Sequence, residues 1–216
     1  MPAPGWPAVL RDGDVTLRPL RMRDATAWMD SRRRNVDWLR PWEATPPGGP
    51  SMFGLSAAVF TTMTRRLRAD ARAGKALPFV ILVDGQFAGQ LNVAGVVRGS
   101  MDSAHIGYWV DERVAGRGVM PTAVALVVDH CFGPVGLHRI EVNIRPENVA
   151  SRRVVEKLAF REEGVRERYL HISGEWRDHL TFALVRDEVP RGLLPRWRQS
   201  QQGADPVVRP HRDTPA

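Results

Sequence analysis

The sequence predicts an α+β fold, and three observations carry that reading. Strand-like segments cluster in a meander through the middle of the chain. A nearly continuous apolar helix follows it. Further strands come after, without the regular alternation of a parallel α/β sheet.

In order, Val15 to Leu20 reads as a first strand, with Pro19 confining it to an edge or an end. Residues 21 to 33 suit a helix, with Asp24 placed to cap it. Trp38, Leu39, Pro41 and Trp42 precede a Pro/Gly-rich break from Thr45 to Pro50. A second helix runs from Leu55 to Ala73, with Gly74 as its stop. Phe79 to Val83 is an apolar run, Asp84-Gly85 is a hairpin turn signal, and Phe87 to Val97 and Ala104 to Val110 continue the meander. Val119 to Phe132 is the buried helix. Arg139 to Ile144 alternates like a strand, and Ser151 to Leu158 is a short helix. Tyr169 to Ile172 and Trp176 to Val185 form a final pair around Ser173-Gly174. Three parts follow: an N-terminal extension at 1–13, one domain at 14–198, and a tail at 199–216 whose polar, Pro-containing composition reads as disordered.

The composition narrows the function. The 216 residues carry a formal charge of +7, and only Lys75 and Lys157 are lysines. Such a charge suits a phosphate-rich partner or simply reflects an arginine-rich host. The basic residues are scattered, with no aromatic-interleaved nucleic-acid motif. No stretch approaches the ~20 apolar residues of a membrane span. Met1 to Leu10 holds three prolines and no apolar core, so no secretory signal is read there and a cytoplasmic location is the default. The single cysteine, Cys131, can form no internal disulfide and reads as core. The six histidines lack ligand spacing, so no metal is expected, although His171 and His179 lie near the closing hairpin.

The most informative segment is Arg113-Val-Ala-Gly116-Arg117-Gly118, between a strand and a helix. The first amides of a helix have no partner within it, and the dipole makes that end positive, so a diphosphate can dock there. Glycines let the backbone approach or take a positive φ. Pro121 fits the first turn. No Gly-Lys-Ser/Thr follows, and Pro121 stands where a dinucleotide fingerprint needs its third glycine. By itself a Gly-x-Gly could also be an ordinary tight turn.

Arg113 to Gly118 matches the Arg/Gln-x-x-Gly-x-Gly/Ala signature of the GNAT superfamily of acetyltransferases. Ile106-Gly107-Tyr108-Trp109-Val110 before it and Val119-Met120 after it resemble the Rim branch, whose members acetylate the N-termini of ribosomal proteins. His138-Arg139-Ile140-Glu141, Asn148-Val-Ala-Ser151, and Leu158-Ala-Phe160 (with Ala159 for the usual glycine) continue the match. So do Gly174 to His179 and Leu39-Arg-Pro-Trp42. The resemblance spans residues 14 to 198. It implies a mixed, mostly antiparallel central sheet with helices on both faces and a splayed strand pair. It implies acetyl-CoA as donor, its pantetheine paired with the edge of Tyr108, Trp109 and Val110. Arg113, Gly116, Arg117, Gly118, Val119 and Met120 would hold the pyrophosphate, and Asn148 and Ser151 would contact the cofactor. Asn148 can equally cap the helix that follows.

Acetyl transfer needs a neutral amine, an oxyanion donor and a proton for the thiolate. An α-amine is easier to deprotonate at neutral pH than a lysine by ~3.5 kcal/mol, so it needs only a weak base or a water relay. Glu141 is the candidate base, or else an ion-paired strand residue. Ser151 can orient the sulfur or protonate the thiolate, or else cap the helix. Glu167, Tyr169 and Asp178 remain open. Trp38 and Trp42 either wall the acceptor site or pack the first helices. The expected acceptor is a protein N-terminus of the ribosomal type. An acidic groove at Asp37, Glu43 and Glu175 would favour a cationic small amine, and a non-catalytic acyl-CoA-binding module is a third reading. The chain is expected to work as a monomer or homodimer.

Overall fold

The computed structural model describes residues 4–48 and 56–202. Strands β1 (Leu10–Asp12), β2 (Val15–Pro19), β3 (Ala76–Val83), β4 (Gln86–Val97), β5 (Ser103–Val110), β6 (Arg139–Ile144), β7 (Arg161–Ile172) and β8 (Glu175–Val185) form one sheet, ordered β1-β2-β3-β4-β5-β6-β8-β7. All neighbours are antiparallel except β5 and β6. The helices are α1 (Ala25–Arg34), α2 (Val36–Leu39), α3 (Ala57–Arg72), α4 (Val119–Phe132), α5 (Val149–Lys157) and α6 (Leu193–Gln202). No helix among the described residues is long and apolar enough to cross a membrane.

Helix α4 is buried almost all round, as its nearly continuous apolar sequence requires. It anchors the main core with Leu91, Val93, Ala104, Ile106, Ile140 and Val142. A smaller cluster on the opposite face joins Trp28 of α1, Phe60 of α3 and Val80. The sheet is therefore covered on both faces. Asp84 and Gly85 both take positive φ, 48° and 75°, which gives the β3–β4 hairpin its tight turn.

Several expectations shift. Leu10–Asp12 pairs with β2, and Trp6 packs edge-on against Phe79 at 5.1 Å. Part of the expected N-terminal extension is thus built into the domain, and Pro19 ends an interior strand. The expected start of the second helix at Leu55 lies outside the described residues, and α3 is capped by Ser56. Asp24 does not cap α1 with its side chain. Its carboxylate instead takes Arg18 (2.8 and 2.7 Å) and the Arg21 amide (2.8 Å), because a 3-10 turn over Met22–Asp24 precedes the helix. Strand β7 begins at Arg161, eight residues before the expected Tyr169, since this polar edge strand has no apolar alternation to betray it. Residues 199–202, placed in the tail, complete α6, and 203–216 lie outside the described residues.

Candidate active site

The parallel pair β5–β6 is short. Only Ser103, Ala104 and His105 pair, with Arg139, Ile140 and Glu141. Beyond His105 the strands part. β5 continues to Val110 against β4, and β6 continues to Ile144 against β8. From Ile106 to Val110 the β6-facing edge of β5 is without a strand partner among the described residues. Because the strands run the same way, the helices that follow them start at the same end of the gap. α4 starts after the loop at Arg113 to Gly118, and α5 starts after Asn148. Two positive helix ends thus flank the mouth of the opening.

The loop earns its shape from glycine. Gly116 has φ 79° and Gly118, the residue before α4, has φ 80°. A Cβ built on Gly116 meets nothing within 4 Å, so the glycine is there for its backbone and not for lack of room. Val119 and Met120 bury their side chains in the core, leaving only main-chain groups for the loop. α6 braces it from behind: Trp197 lies 3.7 Å from a Cβ built on Gly118, and its indole N–H donates to Thr122 Oγ1 at 2.9 Å. Arg117 is exposed, 4.0 Å from Asp14.

The Arg113 side chain is exposed but not free. It folds back onto Asp111, donating from Nε (3.0 Å) and Nη2 (3.1 Å) and from its own amide (3.1 Å). Asp111 is buried and also accepts from Ser31 Oγ at 2.9 Å and Arg34 Nη2 at 3.1 Å. Asn35 Oδ1 takes the next amide, that of Glu112, at 2.9 Å. Burial alone would raise the Asp111 carboxyl, but the bonds from Arg113, Ser31 and Arg34 outweigh it and hold the group well below the usual carboxylate range. This knot ties α1 to the start of the loop, and sequence reasoning missed it.

Across the gap, the Tyr108 hydroxyl lies 2.8 Å from Ser151 Oγ. Asn148 Oδ1 accepts the Ser151 amide at 3.0 Å, so Asn148 is the cap of α5 and Ser151 is not. The Ser151 hydroxyl is thereby left to Tyr108. Burial pushes the Tyr108 phenol well above its ordinary value, only partly offset by the bond with Ser151. It stays protonated across the working range.

Glu141 sits at the fork, but its oxygens are taken. Oε1 accepts from Arg139 at 3.0 Å and Oε2 from Arg166 at 2.6 Å. Arg139 also pairs with Glu163, which Arg161 joins. The geometry is that of an ion-pair chain across β6 and β7 and not of an unencumbered base. Replacing Glu141 with Gln is therefore expected to cost about 1 kcal/mol of stability and to leave kcat within about threefold of wild type, read by thermal melts and steady-state rates. A loss of two orders of magnitude in kcat at normal acetyl-CoA affinity would restore it as the base.

The other candidates scatter. Asp178 Oδ1 accepts the Arg168 amide at 2.7 Å, stabilising a positive φ of 48° there. Tyr169 packs on His179 and under Arg166, and Glu167 is exposed. Trp42 stacks with Arg145 at 5.5 Å, whose Nη1 donates to Pro41 O at 2.7 Å, and the Thr45 amide donates to His171 O at 2.9 Å. The 40–45 segment is thus laced to the β7–β8 hairpin, and Trp38 is half-buried beside it. Asp37, Glu43 and Glu175 do not form an open acidic lining, since each pairs with an arginine: Arg40, Arg32 and Arg177. Cys131 is core, its thiol pushed up to about 12 by burial.

Known proteins share this arrangement. The family model described as an acetyltransferase (GNAT) domain matches residues 14–161. The chain is 43% identical to Mycobacterium smegmatis RimJ, solved in complex with CoA-disulfide, with a TM-score of 0.88 over 92% of this chain and 97% of that one. It is 30% identical to the probable N-acetyltransferase YjcK of Bacillus subtilis, over 82% of this chain and 97% of the relative. It is 28% identical to the ribosomal protein uS5-alanine N-acetyltransferase of Escherichia coli, over 79% and 87%. A parted parallel strand pair, a glycine-bearing loop at a helix start and these likenesses agree: the chain belongs to the GNAT acetyltransferase family and is an acetyl-CoA-dependent N-acetyltransferase.

Proposed function

We propose that the enzyme acetylates the N-terminal α-amine of a protein, with ribosomal proteins as the acceptor class and the cytoplasm as the place of reaction. The observation that carries this is the likeness to RimJ at 43% identity over nearly its whole length, with the parted β5–β6 pair in place to receive the cofactor. The amides of Gly116 to Met120 would cradle the pyrophosphate at the start of α4. The open edge of Tyr108, Trp109 and Val110 would pair with the pantetheine amides, as a peptide adds to a sheet. Arg113 would hold the loop through Asp111, and Arg117 would add charge near the phosphates. Asn148 would contact the cofactor with its remaining amide N–H groups.

The Tyr108–Ser151 hydroxyl pair would orient the sulfur and return a proton to the thiolate. Ser151→Ala and Tyr108→Phe should each lower kcat about 10- to 100-fold while acetyl-CoA affinity changes little. Because burial keeps the Tyr108 phenol protonated, the wild-type rate should show no descending limb up to about pH 10. Unchanged kcat in both variants overturns this role.

The acceptor is tested by N-terminal mass spectrometry of cells with and without the protein. Loss of acetyl from defined protein N-termini supports the proposal. Thiol release with polyamines or amino acids but with no peptide overturns it in favour of a small amine. Absence of CoA-SH release with every peptide and amine would leave only a binding module.

A further inference from the structure

We propose that His105 is the group that takes the proton from the attacking amine. The inference rests on acetyl transfer at the β5–β6 gap and is independent of whether the acceptor is a peptide or a small amine.

His105 belongs to the last register pair before the strands part, opposite Glu141. In the proposed cofactor pose the pyrophosphate lies at the open end of the gap, so the arm runs back along β5, past the Tyr108–Ser151 hydroxyls that take the sulfur, and points the acetyl group toward this apex. Side chains alternate along β5. Ala104, Ile106 and Tyr108 pack into the α4 core, so His105, Gly107 and Trp109 face the other side. On that side a Cβ built on Gly107 meets nothing within 4 Å. The space next to His105, directly over the edge where the thioester would arrive, is therefore open to an acceptor.

The ring has a built seat. Gly95, at a bulge between β4 and β5 with φ 60°, brings its backbone so close that an added Cβ would lie 2.8 Å from His105 Cε1 and 2.9 Å from Nδ1. The imidazole thus lies on bare backbone, in one place, while remaining exposed on its other side. Neither ring nitrogen has a hydrogen-bond partner among the described residues. By contrast, His130, His171 and His179 each have a ring nitrogen bonded to a neighbour. The charged groups that act on His105 are Glu141 of β6 and Arg166 of β7. Packing lowers the imidazole from its ordinary value; Glu141 pulls it up and Arg166 presses it down. The neutral, proton-accepting form prevails at neutral pH.

The amine lone pair forms the C–N bond with the thioester carbon, and the C=O π pair moves to oxygen. A ring nitrogen of His105 takes a proton from the now cationic nitrogen. The oxyanion re-forms C=O and expels the thiolate, which is protonated in turn. The net change is amide, CoA-SH and, from an ammonium substrate, one proton released to solvent.

The test uses the full chain and the variants His105→Asn and His105→Gln, with a peptide and a small amine as acceptors. Melting temperature and acetyl-CoA affinity should match wild type, while kcat/KM for whichever acceptor is used falls about 100-fold. The ionisation of the free amine stays in the kcat/KM profile of every variant, whereas the further acid limb, set by an ionisation at or below that of free imidazole, should vanish in both His105 variants, and Glu141→Gln should move it to lower pH. Rates within threefold of wild type with the acid limb intact overturn the inference. So does a loss confined to acetyl-CoA affinity. Failure of the N-terminal proposal is a separate result, read as turnover of the small amine alone.

Discussion

Asp111→Ala is expected to lower the melting temperature by roughly 5–10 °C and to weaken acetyl-CoA binding at least tenfold. The carboxylate is buried and accepts from the Ser31 hydroxyl, the Arg34 guanidinium, and the amide and guanidinium of Arg113. Removing it leaves buried donors without an acceptor. Arg34 and Arg113 are partly exposed and regain water, so the loss is smaller than for a fully buried pair, about 3 kcal/mol. For a domain of this size that corresponds to the stated shift. Binding suffers as well, because the same carboxylate fixes the entrance to the Arg113–Gly118 loop. Asp111→Asn keeps an acceptor and should lose about half as much. The pH dependence has a definite sign. An unfolded aspartate binds its proton near pH 4, while the folded carboxyl is held below that range. Stability from Asp111 is therefore complete above about pH 4 and declines as the pH falls toward the folded value. The Asn variant lacks this component, so its stability curve should lie below wild type at pH 7 and converge with it in acid. Parallel curves down to pH 2 would show that the carboxylate charge is not what holds the knot.

The knot also marks where sequence legibility ends. The loop at Arg113 to Gly118 was readable because its chemistry is local: two glycines, a strand before and a helix after. α4 and β6 were readable for the same reason, one from its nearly continuous apolar run and the other from strict alternation. The partners of Asp111 lie 77 to 80 residues away on α1, and nothing in either segment announces the other. The front half of β7 was hidden because an exposed edge strand needs no apolar face. Ser151 was legible as a residue but not in its role, which depends on Asn148 taking the cap and Tyr108 reaching across the gap. His105 is not legible in the sequence because its position matters only where β5 and β6 diverge, a property of two strands separated by the whole of α4. Glu141 illustrates the reverse: a carboxylate in a promising strand position, whose arginine on β7 could not be seen from β6 alone.

Gly116→Val is expected to reduce acetyl-CoA affinity about 100-fold or more with little change in melting temperature. No clash within the protein is responsible, since the added Cβ would stand in open space. The cost is conformational. Gly116 holds φ 79°, a region that a β-branched residue occupies only at about 1–3 kcal/mol. The loop can keep its shape at that cost, or relax to negative φ and turn its amides away. In the second case each lost charge-assisted bond to the pyrophosphate costs a further 1.5–3 kcal/mol or so. Either route, or a mixture of the two, falls on the bound form, because the loop carries few other obligations. A pair of control variants separates backbone from bulk. Asparagine tolerates the left-handed region, so Gly116→Asn should keep affinity within about tenfold of wild type, whereas Gly116→Val should not. Equal losses in both would mean that the side chain obstructs the cofactor and that backbone shape is secondary. Unchanged affinity in the valine variant, measured by calorimetry with acetyl-CoA, would remove the pyrophosphate from this loop altogether. The loop would then have to be understood as a tight turn that serves only to launch α4.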